Sequence, residues 1–261
     1  MQFSRAIVRP PGANFAAGLT SAADGAPDLT LALTQHRRYC EALRTCGLDL
    51  TPLSPDLSFP DGTFVEDAAV VTAKGAVITR PGAPSRLGEI DSVARGLRSL
   101  TSKMLRIDAP GTVDGGDVCD VDGHFLIGVS ARTNAAGAGQ LKTHLETLGY
   151  RASVIDIRAS KTLLHLKTGM AYVGEGIWVL AAEIEKELRS LLAIPMPQVI
   201  SIPQQESYSA NCIRVNDAVL VPSGYAHLAR ELERHGLRPI PLDMSEYKKM
   251  DGGLSCLSLR F

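Results

Sequence analysis

Five short segments of the 261-residue chain concentrate the side chains that could do chemistry. They are Phe59-Pro60-Asp61-Gly62-Thr63-Phe64-Val65-Glu66-Asp67, Gly111-Thr112-Val113-Asp114-Gly115-Gly116-Asp117, Leu163-Leu164-His165-Leu166-Lys167-Thr168-Gly169, Glu206-Ser207-Tyr208-Ser209-Ala210-Asn211 and Asp251-Gly252-Gly253-Leu254-Ser255-Cys256. Together they hold a cysteine, a histidine and a set of carboxylates. A thiolate attacks electron-poor carbon. An imidazole beside it can stabilise the thiolate, protonate a departing amine and then activate water. Carboxylates around the same point bind a cation, and the donor fork of a guanidinium matches them. Its central carbon is an electrophile once the charge is held, so this set indicates hydrolysis or transfer at a guanidinium.

Each residue also has an ordinary reading. A free cysteine is most often a small buried core residue. His165 lies between Leu164 and Leu166, as a satisfied core histidine does. Asp114 precedes two glycines and Asp61 follows a proline, as turn formers do. Glu66 and Asp67 could cap a strand, but consecutive acids entering an apolar run are costly unless paired.

The elements that must position these segments repeat. Leu48–Leu53 reads as a strand, Ala68–Val71 and Ala76–Thr79 as a hairpin, and Ser85 to Leu100 as a helix with Ile90, Val93, Ala94 and Leu97 on one face. The order recurs from Lys103, with a hairpin turning at Asp122-Gly123 and a helix from Asn134 to Gly149. Further copies start at Ser153, Gln198 and Arg238, a spacing of roughly 40 to 55 residues that belongs to propellers or arrays. The last copy lacks a hairpin strand and a helix. The N-terminus supplies both, as a strand at Ser4–Val8 and a helix from Asp28 to Cys46 stopped by Gly47. The expectation is one α/β domain over 1–261, a five-fold pseudo-symmetric propeller of ββαβ-type units closed by its two ends. Equivalent loops then face a common axis, where the acids, His165 and Cys256 converge. An open α/β sheet is the competing architecture.

Net charge is −1, with no basic excess for nucleic acid. The N-terminus carries no apolar run of signal length, and no segment is long enough to span a membrane. Cys40, Cys46, Cys119, Cys212 and Cys256 form no C-x-x-C pair, so a zinc knuckle is not expected. Reduced thiols in a cytoplasm are.

Phe64-Val65-Glu66-Asp67, Ile78-Thr79-Arg80-Pro81-Gly82-Ala83, Asp114-Gly115-Gly116-Asp117, Ala131-Arg132-Thr133-Asn134, Leu164-His165-Leu166-Lys167, Ala210-Asn211-Cys212 and Asp251 to Cys256 strongly resemble the dimethylarginine dimethylaminohydrolase family, nearly end to end. The resemblance implies the five-fold α/β propeller of the guanidine-modifying superfamily. It also implies hydrolysis of Nω-methylated arginine to citrulline and an alkylamine, with no cofactor and no metal. Cys256 is then the nucleophile, through an S-alkylthiouronium intermediate, and His165 the acid and base. Asp114 either orients His165 or contacts the guanidinium. Glu66 and Asp67 fix the guanidinium nitrogens, and Asp61 with the Leu19 backbone holds the α-amino group. Arg86 and Arg132, read as opening helices, clamp the α-carboxylate, and the Met250 carbonyl adds a contact. Asp117 and Asp251 support the site. Pro11 to Pro27, which lacks periodicity, is either a loose loop or a lid carrying Leu19.

The implied partner is a small-molecule substrate, without nucleic acid or membrane. A homodimer is allowed but not required, since a closed ring needs no partner strand. An arginine deiminase acting on unmethylated arginine keeps the same site, although those relatives are usually longer. A non-catalytic ring of this fold is a third reading, opposed by the joint presence of Cys256, His165 and Asp114. A metal enzyme has little support.

Overall fold

Hairpin, helix, strand is the order in which this chain builds its sheets. The computed structural model describes residues 2–160, 163–192 and 194–261. Strand β1 (Arg5–Val8) is followed by helix α1 (Leu29–Thr45) and β2 (Asp49–Pro52). The next unit is β3 (Ala69–Thr72), β4 (Gly75–Ile78), α2 (Ile90–Leu97) and β5 (Met104–Arg106). Then come β6 (Val118–Val121), β7 (His124–Val129), α3 (Ala135–Thr147) and β8 (Arg151–Asp156). The fourth set is β9 (Met170–Tyr172), β10 (Ile177–Ala181), α4 (Ala182–Leu192) and β11 (Gln198–Ile202). The fifth is β12 (Ile213–Val215), β13 (Ala218–Pro222), α5 (Ala226–Arg234) and β14 (Arg238–Leu242), before β15 (Ser258–Arg260) ends the chain.

Each sheet has three strands in one topology, an antiparallel pair followed by a parallel one across a helix. The unit that the chain ends split obeys the same rule. β15 pairs antiparallel with β1, placing Ala6 opposite Arg260, and β1 pairs parallel with β2. The termini therefore meet inside one sheet, and the open-sheet alternative is excluded. The repeat expected as strand, loop, hairpin, helix is displaced by one element, because each strand pairs with the hairpin before it.

Local chemistry explains the elements. Asp28 caps α1 by accepting from Leu31 N at 2.9 Å, and Asn134 caps α3 by accepting from Gly137 N at 2.8 Å. Asp122 and Gly123 both take positive φ, as a two-residue hairpin turn requires. The helix expected from Ser85 instead starts at Ile90, since Pro84–Arg86 forms a separate 3₁₀ turn that carries Arg86 inward. Apolar sheet faces and helix stripes bury Trp178, Leu43, Leu97, Leu141 and Leu188. Among the described residues no helix is long and apolar enough to cross a membrane.

Five 3₁₀ turns precede the innermost strands: Val65–Ala68, Gly115–Asp117, Leu166–Thr168, Gln204–Ala210 and Ser255–Leu257. Polar bonds stitch them into a ring. Asp67 accepts from Gly116 N at 2.9 Å, Asp117 from Leu166 N at 2.9 Å, and Asn211 donates to the Lys167 carbonyl at 3.0 Å. Asn211 also accepts from Ser255 N at 3.0 Å, and Ser255 Oγ donates to Glu66 at 2.8 Å, which returns to the first turn.

Candidate active site

This ring of turns carries the reactive side chains. His165 immediately precedes the third turn, and its Nε2 lies 3.1 Å from Asp114 Oδ2. The second Asp114 oxygen accepts from Gly82 N at 2.8 Å, so the carboxylate is fully buried and fixed. Asp114 therefore meets the histidine. Burial works against a charged His165, yet the hydrogen bond to Asp114 and the charges of Asp67, Asp117 and Asp114 prevail. They raise the imidazole to about 9. Gly116 lets the ring pack: a Cβ there would stand 2.9 Å from both Cγ and Nδ1 of His165.

Cys256 is half-buried and unpaired, with Gly253 N donating to its Sγ at 3.4 Å. Burial pushes the thiol up to about 12. The negative charges of Glu66 and Asp67 add to that, against Gly253 N and Lys167. The free protein therefore holds a neutral thiol and a protonated imidazole at pH 7.

Glu66 and Asp67 are buried side by side in the first turn. Glu66 accepts from Lys167 Nζ at 2.5 Å and from Ser255 Oγ; Asp67 accepts from Gly116 N and, at 2.7 Å, from Arg86. Each carboxylate oxygen thus retains a lone pair for a further donor. Burial opposes ionisation of Asp67, but Arg86 and His165 outweigh it and lower its carboxyl.

Arg86 and Arg132 differ from expectation, and from each other. Neither opens a helix: Arg86 ends a 3₁₀ turn, and Arg132 precedes the Asn134 cap. Arg86 is buried, with Nε on both Glu89 oxygens at 3.0 and 3.1 Å and its remaining contacts to Asp67, Glu89 and the Phe64 and Asp61 carbonyls. Burial works to lower this guanidinium, yet Asp67 and Glu89 hold it above the usual arginine range. Most of its donors are engaged inside the protein. Among the described residues no ion pair engages Arg132, which is half-buried. The carboxyl of Glu89, which the sequence did not single out, is pushed up by burial to about 7 despite Arg86.

Pro11 to Pro27 is an anchored strap rather than a loose loop. Phe15 is buried against Phe64 and Tyr247 with centroids 6.1 and 5.5 Å away. Leu19 N donates to Asp61 at 3.0 Å, Thr20 Oγ1 to the Lys249 carbonyl at 2.8 Å, and Ser21 to Asp251 through N at 2.6 Å and Oγ at 2.9 Å. Burial raises the Asp61 carboxyl against the charge of Arg86.

A cavity of about 250 Å³ lies beneath this strap, lined by Leu19, Asp61, Asp67, Arg86, Arg132, His165, Met250 and Cys256 among others. Of the expected site residues, Glu66 stands on an adjoining cavity instead, and Asp114 sits behind His165. Asp117 supports the His165 turn, accepting from Ser130 at 2.6 Å, Thr133 at 2.7 Å and Leu166 N. Lys167, Asn211, Ser255 and Glu89 were missed. The signal for the first three was available, since each falls within or beside an equivalent turn of the repeat. Asp67, Asp114 and His165 also place one donor atom each within 4.8 Å of the others. Asp67 is already bonded to Arg86 and Gly116, and Asp114 to Gly82 and His165, so the trio reads as a positioning network.

Residues 98–215 match the family model described as arginine deiminase. The chain is 45% identical, over 99% of its length and 100% of the relative's, to N(G),N(G)-dimethylarginine dimethylaminohydrolase of Pseudomonas aeruginosa. It is 34% identical to the protein of that name from Streptomyces coelicolor, over 100% of this chain and 98% of that one. Among solved structures it is similar to a cysteine-to-serine mutant of the Pseudomonas aeruginosa enzyme complexed with citrulline. The TM-score is 0.93 at 44% identity, covering 100% of both chains.

Proposed function

The chain belongs to the dimethylarginine dimethylaminohydrolase family, and we propose that it hydrolyses Nω,Nω-dimethyl- and Nω-monomethyl-L-arginine to L-citrulline and the alkylamine, with Cys256 as nucleophile and His165 as its proton partner. One observation carries this reading. A thiol and an imidazolium share a cavity with buried carboxylates that retain unused lone pairs, which is a receptor for a planar cation.

The α-carboxylate pairs with Arg132 and with what remains free on Arg86, and the α-amino group with Asp61. The guanidinium lies against Asp67, near Glu66. Its charge offsets the two acids that help keep the Cys256 thiol neutral, so the thiol ionises as substrate binds, releasing its proton to solvent. Sγ bonds to the central carbon. His165, protonated at neutral pH, gives a proton from the ring nitrogen not held by Asp114 to the alkylated nitrogen. The carbon–nitrogen bond breaks and dimethylamine leaves. The now neutral imidazole takes a proton from water, whose oxygen attacks the same carbon. The hydroxyl now on that carbon gives its proton to solvent as the carbon–sulfur bond breaks, returning the thiolate and yielding the ureido group of citrulline. Asp114 keeps the imidazole in one tautomer and orientation.

The same reading takes 1–261 as one catalytic domain, supported by the pairing of β1 with β15, and places it in the cytoplasm, supported by five free cysteines. Wild-type and Cys256→Ser protein, offered asymmetric dimethylarginine and plain arginine and scored for citrulline, test the function. Citrulline from the methylated substrate, lost in the mutant, is the expected result. Citrulline chiefly from arginine would instead make the protein a deiminase.

A further inference from the structure

Cys256 and His165 stand on a wall common to two cavities. The one beneath the strap carries all the groups suited to an amino acid's α-substituents. The other, of about 240 Å³, opens onto a different sector of the ring and draws its own walls from the fourth and fifth units: Leu163, Gly169, Ala181, Ile184 and Tyr208. Buried Ala181 and Ile184 give its lining an apolar part, Glu66, Lys167 and Ser255 line it as well, and the exposed Glu183 adds a carboxylate. The reaction as derived uses the first cavity and, from the lining of the second, Glu66 together with the shared Cys256 and His165.

Geometry gives the second one a task. The side chain of the substrate reaches Cys256 from the α-substituent end, and one guanidinium nitrogen is held by acids. The nitrogen that must accept a proton from His165 therefore lies at the common wall, with its alkyl groups directed away from the α-substituents. We propose that this second cavity is an alkyl subsite, which holds the N-alkyl groups of the guanidine and then the released amine. This rests on the function proposed above. Its volume exceeds what two methyl groups fill, so the site takes N-ethyl and N-propyl guanidines. Gly169 sets the depth: a Cβ there would stand 2.0 Å from Ile184 Cδ1 and 2.9 Å from Leu163 Cδ2, driving those flexible ends into the cavity. Glu183 attracts the alkylammonium that the amine becomes in neutral water.

The test compares citrulline formation from Nω-methyl-, Nω-ethyl- and Nω-propyl-L-arginine by wild type, Gly169→Ala, Ile184→Val and Ile184→Ala. Wild type is expected to accept all three. Gly169→Ala should lower kcat/KM for the propyl substrate at least about 10-fold more than for the methyl one, and Ile184→Ala should shift preference toward propyl. Should Gly169→Ala misfold, Ile184→Val and Ile184→Ala alone decide by the propyl-to-methyl ratio. A ratio unchanged in every folded variant overturns the subsite while leaving the proposed hydrolysis intact. Absence of citrulline from the methyl substrate with wild type overturns that hydrolysis instead. Binding of the same three ligands to Cys256→Ser protein then reports on the cavity without turnover, and an unaltered affinity order in Gly169→Ala would overturn it.

Discussion

Cys212 and Cys256 both sit where a repeat enters its innermost strand, and both thiols are pushed up to about 12. At Cys212 burial is the whole upward cause, within an apolar cluster that includes Met170, Ala171 and Val219. At Cys256 burial is joined by two carboxylates that a bound cation neutralises, and the sulfur lines a cavity shared with His165. The same elevation is therefore permanent in one place and conditional in the other. A raised thiol does not identify an inert cysteine; what raises it, and whether a ligand can remove that cause, does.

The largest effects should separate the two cysteines outright. Cys256→Ser should lower citrulline production by at least about 10⁴-fold, since a hydroxyl with no adjacent activated base replaces the nucleophile. Cys212→Ser should leave turnover within about 3-fold and cost roughly 1–2 kcal/mol of stability by denaturant unfolding. A folded Cys212→Ser protein without activity would break the comparison.

Asp114→Asn should come next, lowering kcat by about 10² to 10⁴-fold with KM little changed, because the imidazole loses its fixed tautomer and its charged support. It should also move the fall of activity at high pH downward. His165 stands at about 9 when folded and near 6.5 when free, so its charge stabilises the fold fully below about pH 6.5. That contribution is lost as pH rises through 9, and the mutant should show a flatter stability profile over this window. An identical alkaline profile in the mutant would remove Asp114 from the argument.

Thiol alkylation sharpens the contrast directly. Reaction of Cys256 with iodoacetamide should accelerate toward high pH. Glu66→Gln, or saturation with a slowly cleaved guanidine, should bring that rise down by about one pH unit, a roughly 10-fold gain at fixed pH. Cys212 should respond to neither. A Cys256 profile unmoved by Glu66→Gln would remove Glu66 from the causes that raise the thiol. Smallest is the strap. Asp251→Ala removes both bonds to Ser21 and should raise KM about 5- to 10-fold with kcat nearly intact. A fall confined to kcat would assign Asp251 to the chemistry.

Some of this was legible residue by residue. Repeating hairpin signals such as Asp122-Gly123, helix caps such as Asp28 and Asn134, and the complementary incompleteness of the two chain ends specify the five-fold ring, because each is a local preference with a short period. Equivalence of the loops then brings Cys256, His165 and the acids to one axis, and the tertiary structure does gather them. Arg86 and Arg132 mark where that reading ran out. Both look like surface arginines ahead of a helix, yet one is buried between Asp67 and Glu89 and the other is not.

By itself the sequence determined the repeat, the closure and the residue types available for chemistry, since these depend on neighbours along the chain. Only the tertiary structure decided that Asp114 meets His165, that Glu66 answers to Lys167 and Ser255, and that a second cavity opens beside the nucleophile. Those pairings join segments 51, 101 and 189 residues apart. Hydrogen bonds and charges act over a few ångströms of space, and distances of that kind exist only once the ring has closed.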